Sequence, residues 1–134
     1  MTPSKRPIPQ ADEASREFYE GAQRHELMLM RCTVCGTWRL PSHPRCFQCW
    51  STDTEWAKAS GRGKLYSFGL MHQKFPGFED EVPYNYALVE LEEGPRIVTD
   101  IVDVPRDEIR VDMPVVAYFD DVSDDTTLVR FTRA

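Results

Sequence analysis

Four cysteines, arranged as two Cys-x-x-Cys pairs, are the residues of this sequence with the clearest chemistry. Cys32 and Cys35 form the first pair, Cys46 and Cys49 form the second, and ten residues separate the pairs. This spacing lets four sulfurs converge tetrahedrally on one ion, at about 2.3 Å if the ion is zinc. Four thiolates leave no coordination position for water or substrate, so the spacing predicts a structural zinc site rather than a catalytic one.

We call each pair with the residue after it a knuckle, so the first knuckle is 32–36 and the second is 46–50. Gly36 suits the tight turn of the first knuckle, whereas Trp50 stands at the same place in the second and predicts a distorted turn there. A redox dithiol and a ribbon that has lost its metal remain alternatives, but a redox pair normally lies at a helix N-terminus and needs no second pair. His43 is surplus to a complete cysteine set, and we interpret it as a surface histidine.

A short helix is predicted before the cysteines. Asp12 is a candidate cap for a helix over residues 13–24, in which Ala14, Phe18 and Ala22 form one apolar stripe. We interpret this stripe as covering the protein's own core, with a partner-facing helix as the alternative.

The cysteines themselves are predicted to lie in a zinc ribbon. A strand over residues 26–31 leads into the first cysteine, and the ribbon continues to about residue 56. The Gly-rich segment 60–63 is then a hinge. The predicted division of the chain is an arm and helix (1–26), a zinc ribbon (27–59) and a β domain (60–134).

Five strand-like stretches make up that β domain. They are residues 64–74, 84–92, 96–102, 114–120 and 127–132. A hairpin turn at 93–95 joins the second and third stretches, and one helical turn at 105–109 precedes the fourth. Three strands, a short helix and two strands is the order of a five-stranded OB-fold barrel, and an open β-sandwich is the alternative. The predicted fold class is therefore mainly β.

Alternation along two of these strands predicts which side chains share a face. Ala87, Val89 and Leu91 share one face of the second strand. By the same two-residue period, Tyr66, Phe68 and Leu70 share one face of the first strand.

Charge is distributed unevenly in the 134 residues, whose net charge is -6. Residues 1–64 contain ten Lys and Arg against seven Asp and Glu, whereas residues 65–134 contain six against fifteen. An acidic β domain disfavours binding to phosphate backbones. No stretch resembles a signal peptide or a membrane span, so we expect a cytoplasmic protein that keeps its cysteines reduced.

The chain resembles the DUF35 family, small accessory subunits with a rubredoxin-like zinc ribbon followed by an OB-fold. The motifs that carry the resemblance span nearly the whole chain: FY at 18–19, LMLMRCTVCG at 27–36, PRC at 44–46, SGRGKLYS at 60–67, VPY at 82–84, ALVELEEGPR at 87–96 and MPV at 113–115. Trp50 and Asp112 depart from the family pattern, which usually has Gly at the first position and often at the second. Asp tolerates a left-handed backbone, so the second departure need not alter the fold.

The resemblance implies a non-catalytic partner of a thiolase-like enzyme, in a hetero-oligomer whose acyl-CoA channel the subunit helps to shape. Family partners include thiolases and thiolase-like aldolases that shorten steroid side chains. Residues that line the path of a CoA ester need cations, amides and an apolar wall. The candidates for contact with acyl-CoA or the partner are Arg45, Arg62, Lys64, Tyr66, His72, Phe75, Phe78, Tyr84 and Arg96. The two phenylalanines lie in a long loop between strands, where function often concentrates.

Two rival functions follow from the same residues. OB-folds and zinc ribbons both occur in nucleic-acid-binding modules, but a strand-binding face needs Lys and Arg among its aromatics, and this β domain is acidic. An independent acyl-CoA hydrolase or transferase is the other rival, with His72 as a test position. No set of nucleophile, base and orienting group is recognisable, so we expect no activity from the chain alone.

Overall fold

The computed structural model describes residues 15–41, 45–72, 84–124 and 126–134. The elements before the barrel are α1 (Arg16–Gln23), β1 (Met28–Cys32), β2 (Trp38–Arg39) and β3 (Thr54–Lys58). The barrel strands are β4 (Arg62–Met71), β5 (Tyr84–Leu91), β6 (Arg96–Thr99), β7 (Pro114–Asp121) and β8 (Thr127–Arg133). A single-turn 3-10 helix, Arg106–Glu108, lies between β6 and β7, as predicted from Pro105. The predicted class, mainly β with a helix, a ribbon and a five-stranded barrel, is confirmed.

The barrel strands curl into one sheet in the order β6-β5-β4-β7-β8, with every neighbouring pair antiparallel. The curl brings β8 beside the chain that leaves β6. The Phe131 amide donates to the Asp100 carbonyl at 3.1 Å, and the Val102 amide donates to the Phe131 carbonyl at 2.8 Å. This parallel join of the third strand to the fifth is the OB-fold order, so the sandwich alternative is wrong.

The ribbon is a separate three-stranded sheet in the order β2-β1-β3. β1 pairs with both neighbours antiparallel, and Met30 lies opposite Arg39 on one side and Trp56 on the other. The sequence analysis did not predict β3 as a strand. Its five residues become extended because β1 supplies the backbone partners, a long-range effect that local pattern does not carry.

The ribbon and the barrel share one hydrophobic core. Leu29 of β1 is completely buried, as are Leu65, Val89 and Phe131 of the barrel, and all four belong to one cluster. Trp38 and Leu40 of the ribbon pack against the same cluster. Burial of each such side chain stabilises the fold by roughly 1.5–3 kcal/mol, so the barrel helps to hold the ribbon in place.

One of the two face predictions is confirmed and the other is wrong in one residue. Ala87, Val89 and Leu91 are all buried, as alternation predicts. In β4 the register shifts between Leu65 and Ser67, so that one extra residue stands in this strand. Tyr66 is that extra residue, and a bulge changes the face on which the residues after it lie. Phe68 therefore packs against the core cluster, whereas Tyr66 is 42% exposed.

Helix α1 packs on the protein's own core. Ala22 is completely buried and Phe18 packs against the hydrophobic cluster, so the partner-facing alternative is wrong for this stripe. The predicted cap Asp12 and the first stripe residue Ala14 lie outside the described residues, and the described helix begins at Arg16. No helix within the described ranges has the length and apolar character that crossing a bilayer requires.

Half of the predicted hinge is strand. Arg62 and Gly63 belong to β4, and residues 59–61 connect β3 of the ribbon to β4 of the barrel. A Cβ atom at Gly63 would lie 2.5 Å from the Glu90 carbonyl oxygen and 3.0 Å from the Val89 side chain. Gly63 therefore permits close packing of β4 on β5 rather than movement between two parts.

Candidate metal centre and contact surface

The two knuckles bring the four cysteine sulfurs together. All four lie within 4.8 Å of one another. The Cys32 and Cys49 sulfurs are 3.6 Å apart, and the Cys35 and Cys46 sulfurs are 3.5 Å apart. A tetrahedral ion with zinc–sulfur bonds of about 2.3 Å needs sulfurs about 3.8 Å apart. The donor set therefore fits one tetrahedral metal ion.

The two knuckles have the same backbone geometry. The Gly36 amide donates to the Cys32 carbonyl at 2.9 Å, and the Trp50 amide donates to the Cys46 carbonyl at 2.8 Å. Gly36 has φ +80° and Trp50 has φ +63°, so both occupy the left-handed region. The predicted distortion of the second knuckle is wrong. Trp50 accepts the glycine conformation, at a cost of about 1–2 kcal/mol for a side chain there.

Hydrogen bonds favour the thiolate form of three cysteines. The Cys35 backbone amide lowers the pKa of Cys32, and the Thr37 hydroxyl lowers the pKa of Cys35. The Cys49 amide similarly lowers the pKa of Cys46. The knuckle amides that turn toward the sulfurs thus stabilise thiolates, the form of cysteine that binds a metal cation.

Cys49 behaves differently from the other three. The Ser51 amide favours its thiolate, but desolvation and the neighbouring sulfurs outweigh that bond and raise the pKa of Cys49 to about 12. A fourth negative charge beside three thiolates is unfavourable unless a cation balances it. All four cysteines can therefore be thiolates together only when a divalent metal ion balances their charge.

Three of the predicted contact residues meet on the outer face of the barrel, which we call the basic face. The Arg96 guanidinium carbon lies 3.8 Å from the centre of the Tyr66 ring, a stacked cation–π contact. Arg96 Nε is 3.1 Å from one Glu90 carboxylate oxygen, and Lys64 Nζ is 3.8 Å from the other. Glu90 thus fixes two cations around one aromatic ring.

A groove of about 450 Å³ separates the basic face from the second knuckle. Its walls include Phe47 of the knuckle, Trp38 of the ribbon, and Pro95 and Arg96 of the β5–β6 hairpin. Of these residues, only Arg96 is among the contacts predicted from the sequence; Phe47 and Trp38 are not. The sequence signal for Phe47 was an aromatic residue between the two cysteines of the second knuckle. Such a side chain is expected to be exposed, because a small ribbon has little core in which to bury it.

Comparison with known proteins agrees with this architecture. The ChsH2 rubredoxin-like zinc ribbon domain matches residues 20–55, and the ChsH2 C-terminal OB-fold domain matches residues 56–120. A DUF35 domain-containing scaffold protein of Methanocaldococcus jannaschii is 38% identical over 104 residues, which are 77% of this chain and 74% of that protein. The chain belongs to the DUF35 family.

Other DUF35 relatives carry names from acyl-CoA metabolism. A probable enoyl-CoA hydratase alpha subunit of Thermomonospora curvata is 38% identical over 96% of this chain, which spans only 40% of that protein's length. The benzoylsuccinyl-CoA thiolase subunit BbsA of Thauera aromatica is 34% identical over 56% of this chain and 51% of its own. A solved chain of an Ltp2-ChsH2(DUF35) aldolase superposes with a TM-score of 0.82 and 36% identity, covering 93% of this chain and 98% of that one.

The remaining candidate contacts of this DUF35 chain are dispersed. Arg45 is exposed at the second knuckle and donates to the Trp50 carbonyl at 3.1 Å, and Arg62 is exposed at the start of β4. His72 is exposed just after β4, and Tyr84 lies half-buried at the start of β5. The last two candidates, Phe75 and Phe78, lie outside the described residues, as does His43.

Tyr84 borders a second cavity, of about 450 Å³, which the sequence analysis missed. Arg130 lies in its wall and pairs with Asp100 at 2.5 Å and Asp120 at 3.0 Å. Burial disfavours the charge of Arg130, but the bonds to both carboxylates prevail and raise its pKa. Arg130 thus offsets one of the two carboxylate charges within the fold. Asn85 and Ile101 also line the cavity. The Asn85 Oδ1 atom accepts from the Ile101 backbone amide at 2.7 Å, and Asn85 Nδ2 donates to the Ile101 carbonyl at 2.8 Å.

Proposed function

We propose that this chain is a non-catalytic, zinc-binding accessory subunit of a thiolase-like acyl-CoA enzyme, and that it helps to shape that enzyme's acyl-CoA channel. The enzyme is a thiolase or an aldolase of the type that shortens steroid side chains. The observation that carries the proposal is the closed set of four sulfurs within 4.8 Å, in a chain of the DUF35 family. Zinc held by Cys32, Cys35, Cys46 and Cys49 would have no open position, so it would stabilise the ribbon and supply no chemistry.

Family membership supports the subunit role. The relatives described above are named as a scaffold protein, a hydratase subunit and a thiolase subunit, and the solved chain belongs to an aldolase complex. The hydratase and thiolase names each include a CoA thioester and the word subunit, and the aldolase name joins two proteins. We infer the same arrangement for this chain, in a hetero-oligomer.

The groove beside the basic face is the proposed contribution to the channel. A CoA ester has phosphates at one end, two amides in its arm and an apolar acyl group at the other end. Arg96 in the groove wall and Lys64, which pairs with Glu90 of that wall, provide cations for the phosphates, and Phe47 and Trp38 provide an apolar wall. The groove volume of about 450 Å³ is within the usual range for small-molecule sites.

Affinity purification from the native cell tests the subunit role. The tagged chain should recover a thiolase-like subunit, identified by mass spectrometry, and should contain about one zinc per chain. The partner should turn over its acyl-CoA substrate faster with the chain than without it. A zinc-loaded chain that recovers no thiolase-like subunit would contradict the proposal.

A pair of arginine variants tests the channel separately. Arg96 and Arg133 have equally exposed side chains, at 48%, and each pairs with one glutamate at 3.1–3.2 Å. Arg96→Ala should raise the KM of the complex for its acyl-CoA by about tenfold with little change in kcat, because a charge-assisted bond to phosphate is lost. Arg133→Ala, on β8, should leave KM unchanged. Equal KM values for both variants would remove the basic face from the channel.

A further inference from the structure

The second knuckle presents a bulky side chain where its backbone is built for glycine. Gly36 and Trp50 stand at the same place in two equivalent turns, with the same amide-to-carbonyl bond and the same left-handed φ. A tryptophan in this region of φ is a rare outlier. Strain of this kind persists where the surroundings impose it, and it concentrates at functional positions.

Packing within the described residues does not explain the tryptophan. Trp50 is 71% exposed and lies outside the hydrophobic cluster of the core. Phe47, in the same knuckle, is 63% exposed. Two large aromatic side chains thus project from one tight turn, which the metal site and its hydrogen bonds hold rigid. A rigid exposed aromatic pair is typical of the anchors that carry protein–protein binding energy.

The exposure and the charge of this tip indicate what it fits. Trp50 is 71% exposed at the end of the turn, so its indole is placed to enter a pocket of another molecule. Residues 31–52 contain three arginines and no carboxylate, but Arg39 is buried and Arg31 pairs with Glu55, so Arg45 supplies the exposed charge beside Trp50. Arg45 is exposed and donates to the Trp50 carbonyl at 3.1 Å, which places its guanidinium beside the indole-bearing residue. The complementary surface is an apolar pocket with carboxylates at its rim.

We infer that Trp50, with Phe47 beside it and Arg45 at its edge, is the principal anchor of this chain in its thiolase-like partner subunit. This inference rests on the proposed function, because that function supplies the partner. The indole fills an apolar pocket of the partner, and Arg45 pairs with a carboxylate at the rim. A strained tryptophan at this position then has a physical reason, because its contribution to the free energy of binding exceeds the cost of the left-handed turn.

Trp50→Gly separates docking from folding. Glycine relaxes the left-handed turn, so the variant should keep about one zinc per chain and melt no lower than the wild type. Its affinity for the purified partner, titrated by calorimetry, should fall at least about 30-fold in Kd. Trp50→Phe retains an aromatic anchor, so its Kd should lie between those of the wild type and Trp50→Gly. Phe47→Ala should weaken binding less, and its effect should not add to that of Trp50→Gly.

Asp112→Gly is the matched control. Asp112 also has a left-handed backbone, at φ +69°, but lies on the barrel before β7. This variant makes the same backbone change away from the knuckle and should bind the partner with the wild-type Kd. Equal Kd values for wild type and Trp50→Gly would overturn the anchor while leaving the accessory function intact. A wild-type chain that binds no thiolase-like subunit would overturn both.

Discussion

At the scale of single residues, Cys49 shows most clearly why the ribbon needs a metal. Its sulfur lies 3.6 Å from that of Cys32, and desolvation together with the neighbouring sulfurs raises its pKa to about 12, against the Ser51 amide, a penalty that a cation would relieve. Binding of zinc to such a site contributes free energy on the order of 10 kcal/mol, comparable with the whole stability of a small domain. Loss of one ligand should therefore cost more than loss of an ordinary buried side chain.

Cys32→Ser should abolish stoichiometric zinc binding and lower the melting temperature sharply. Serine keeps the size of the side chain but gives no thiolate, so the fourth bond and the closed geometry are lost. Metal analysis, thermal melting and limited proteolysis would measure the effect. Gln48→Ser, between the two cysteines of the second knuckle and exposed, is the control and should retain zinc and wild-type melting. Full zinc occupancy in Cys32→Ser would contradict the assignment of this ligand.

At the scale of elements, His25 ties the end of α1 to the barrel. Its Nε2 lies 3.2 Å from the Asp121 carboxylate at the end of β7, and its ring stacks on Phe119 with centroids 5.3 Å apart. The Thr127 hydroxyl and then His25 lower the pKa of Asp121 below its usual value of 3.8. The folded state therefore favours the carboxylate form of Asp121.

Asp121→Asn should reduce stability at neutral pH by a small amount, since the carboxylate is largely exposed. The contribution of a carboxylate with a lowered pKa is fully present above about pH 3.8 and disappears as the pH falls through the lowered value. The stability curves of wild type and variant should thus differ at neutral pH and converge under acid conditions. Asp124→Asn, on the next turn, controls for loss of surface charge. A difference between wild type and Asp121→Asn that persists at the acid end would refute the linkage.

At the scale of the molecule, the charge distribution disfavours the phosphate contacts that nucleic-acid-binding modules with these folds make. The net charge is -6, and residues 65–134, which form most of the barrel, hold nine more acids than bases. An OB-fold that binds single strands needs a continuous cationic groove with stacking aromatics.

We therefore expect no binding of a labelled single-stranded oligonucleotide, even at low salt. Fluorescence anisotropy with the zinc-loaded chain would measure it, and an established single-strand-binding protein would serve as the positive control. An affinity that falls steeply as salt rises would reveal phosphate contacts and would favour the rival function instead.

The sequence by itself determined the features that depend on spacing along the chain. The two Cys-x-x-Cys pairs predict the four-sulfur centre, because four ligands at fixed short intervals have few ways to converge. The number and order of the barrel strands follow from turns and period-two patterns, as the buried faces of Ala87, Val89 and Leu91 illustrate. Pro105 marks the single helical turn for a similarly local reason.

Only the tertiary structure decided what depends on pairing between distant segments. The bulge that turns Tyr66 outward depends on how β4 pairs with β5. Residues of β3 become extended because β1 supplies their backbone partners. The groove at Phe47 needs the ribbon to stand beside the β5–β6 hairpin, and His25 meets a carboxylate 96 positions away. The left-handed turn at Trp50 is imposed by the convergence of the sulfurs, against the preference of its own side chain. Local preference is worth about 1 kcal/mol per residue, so long-range packing and metal geometry override it at these places.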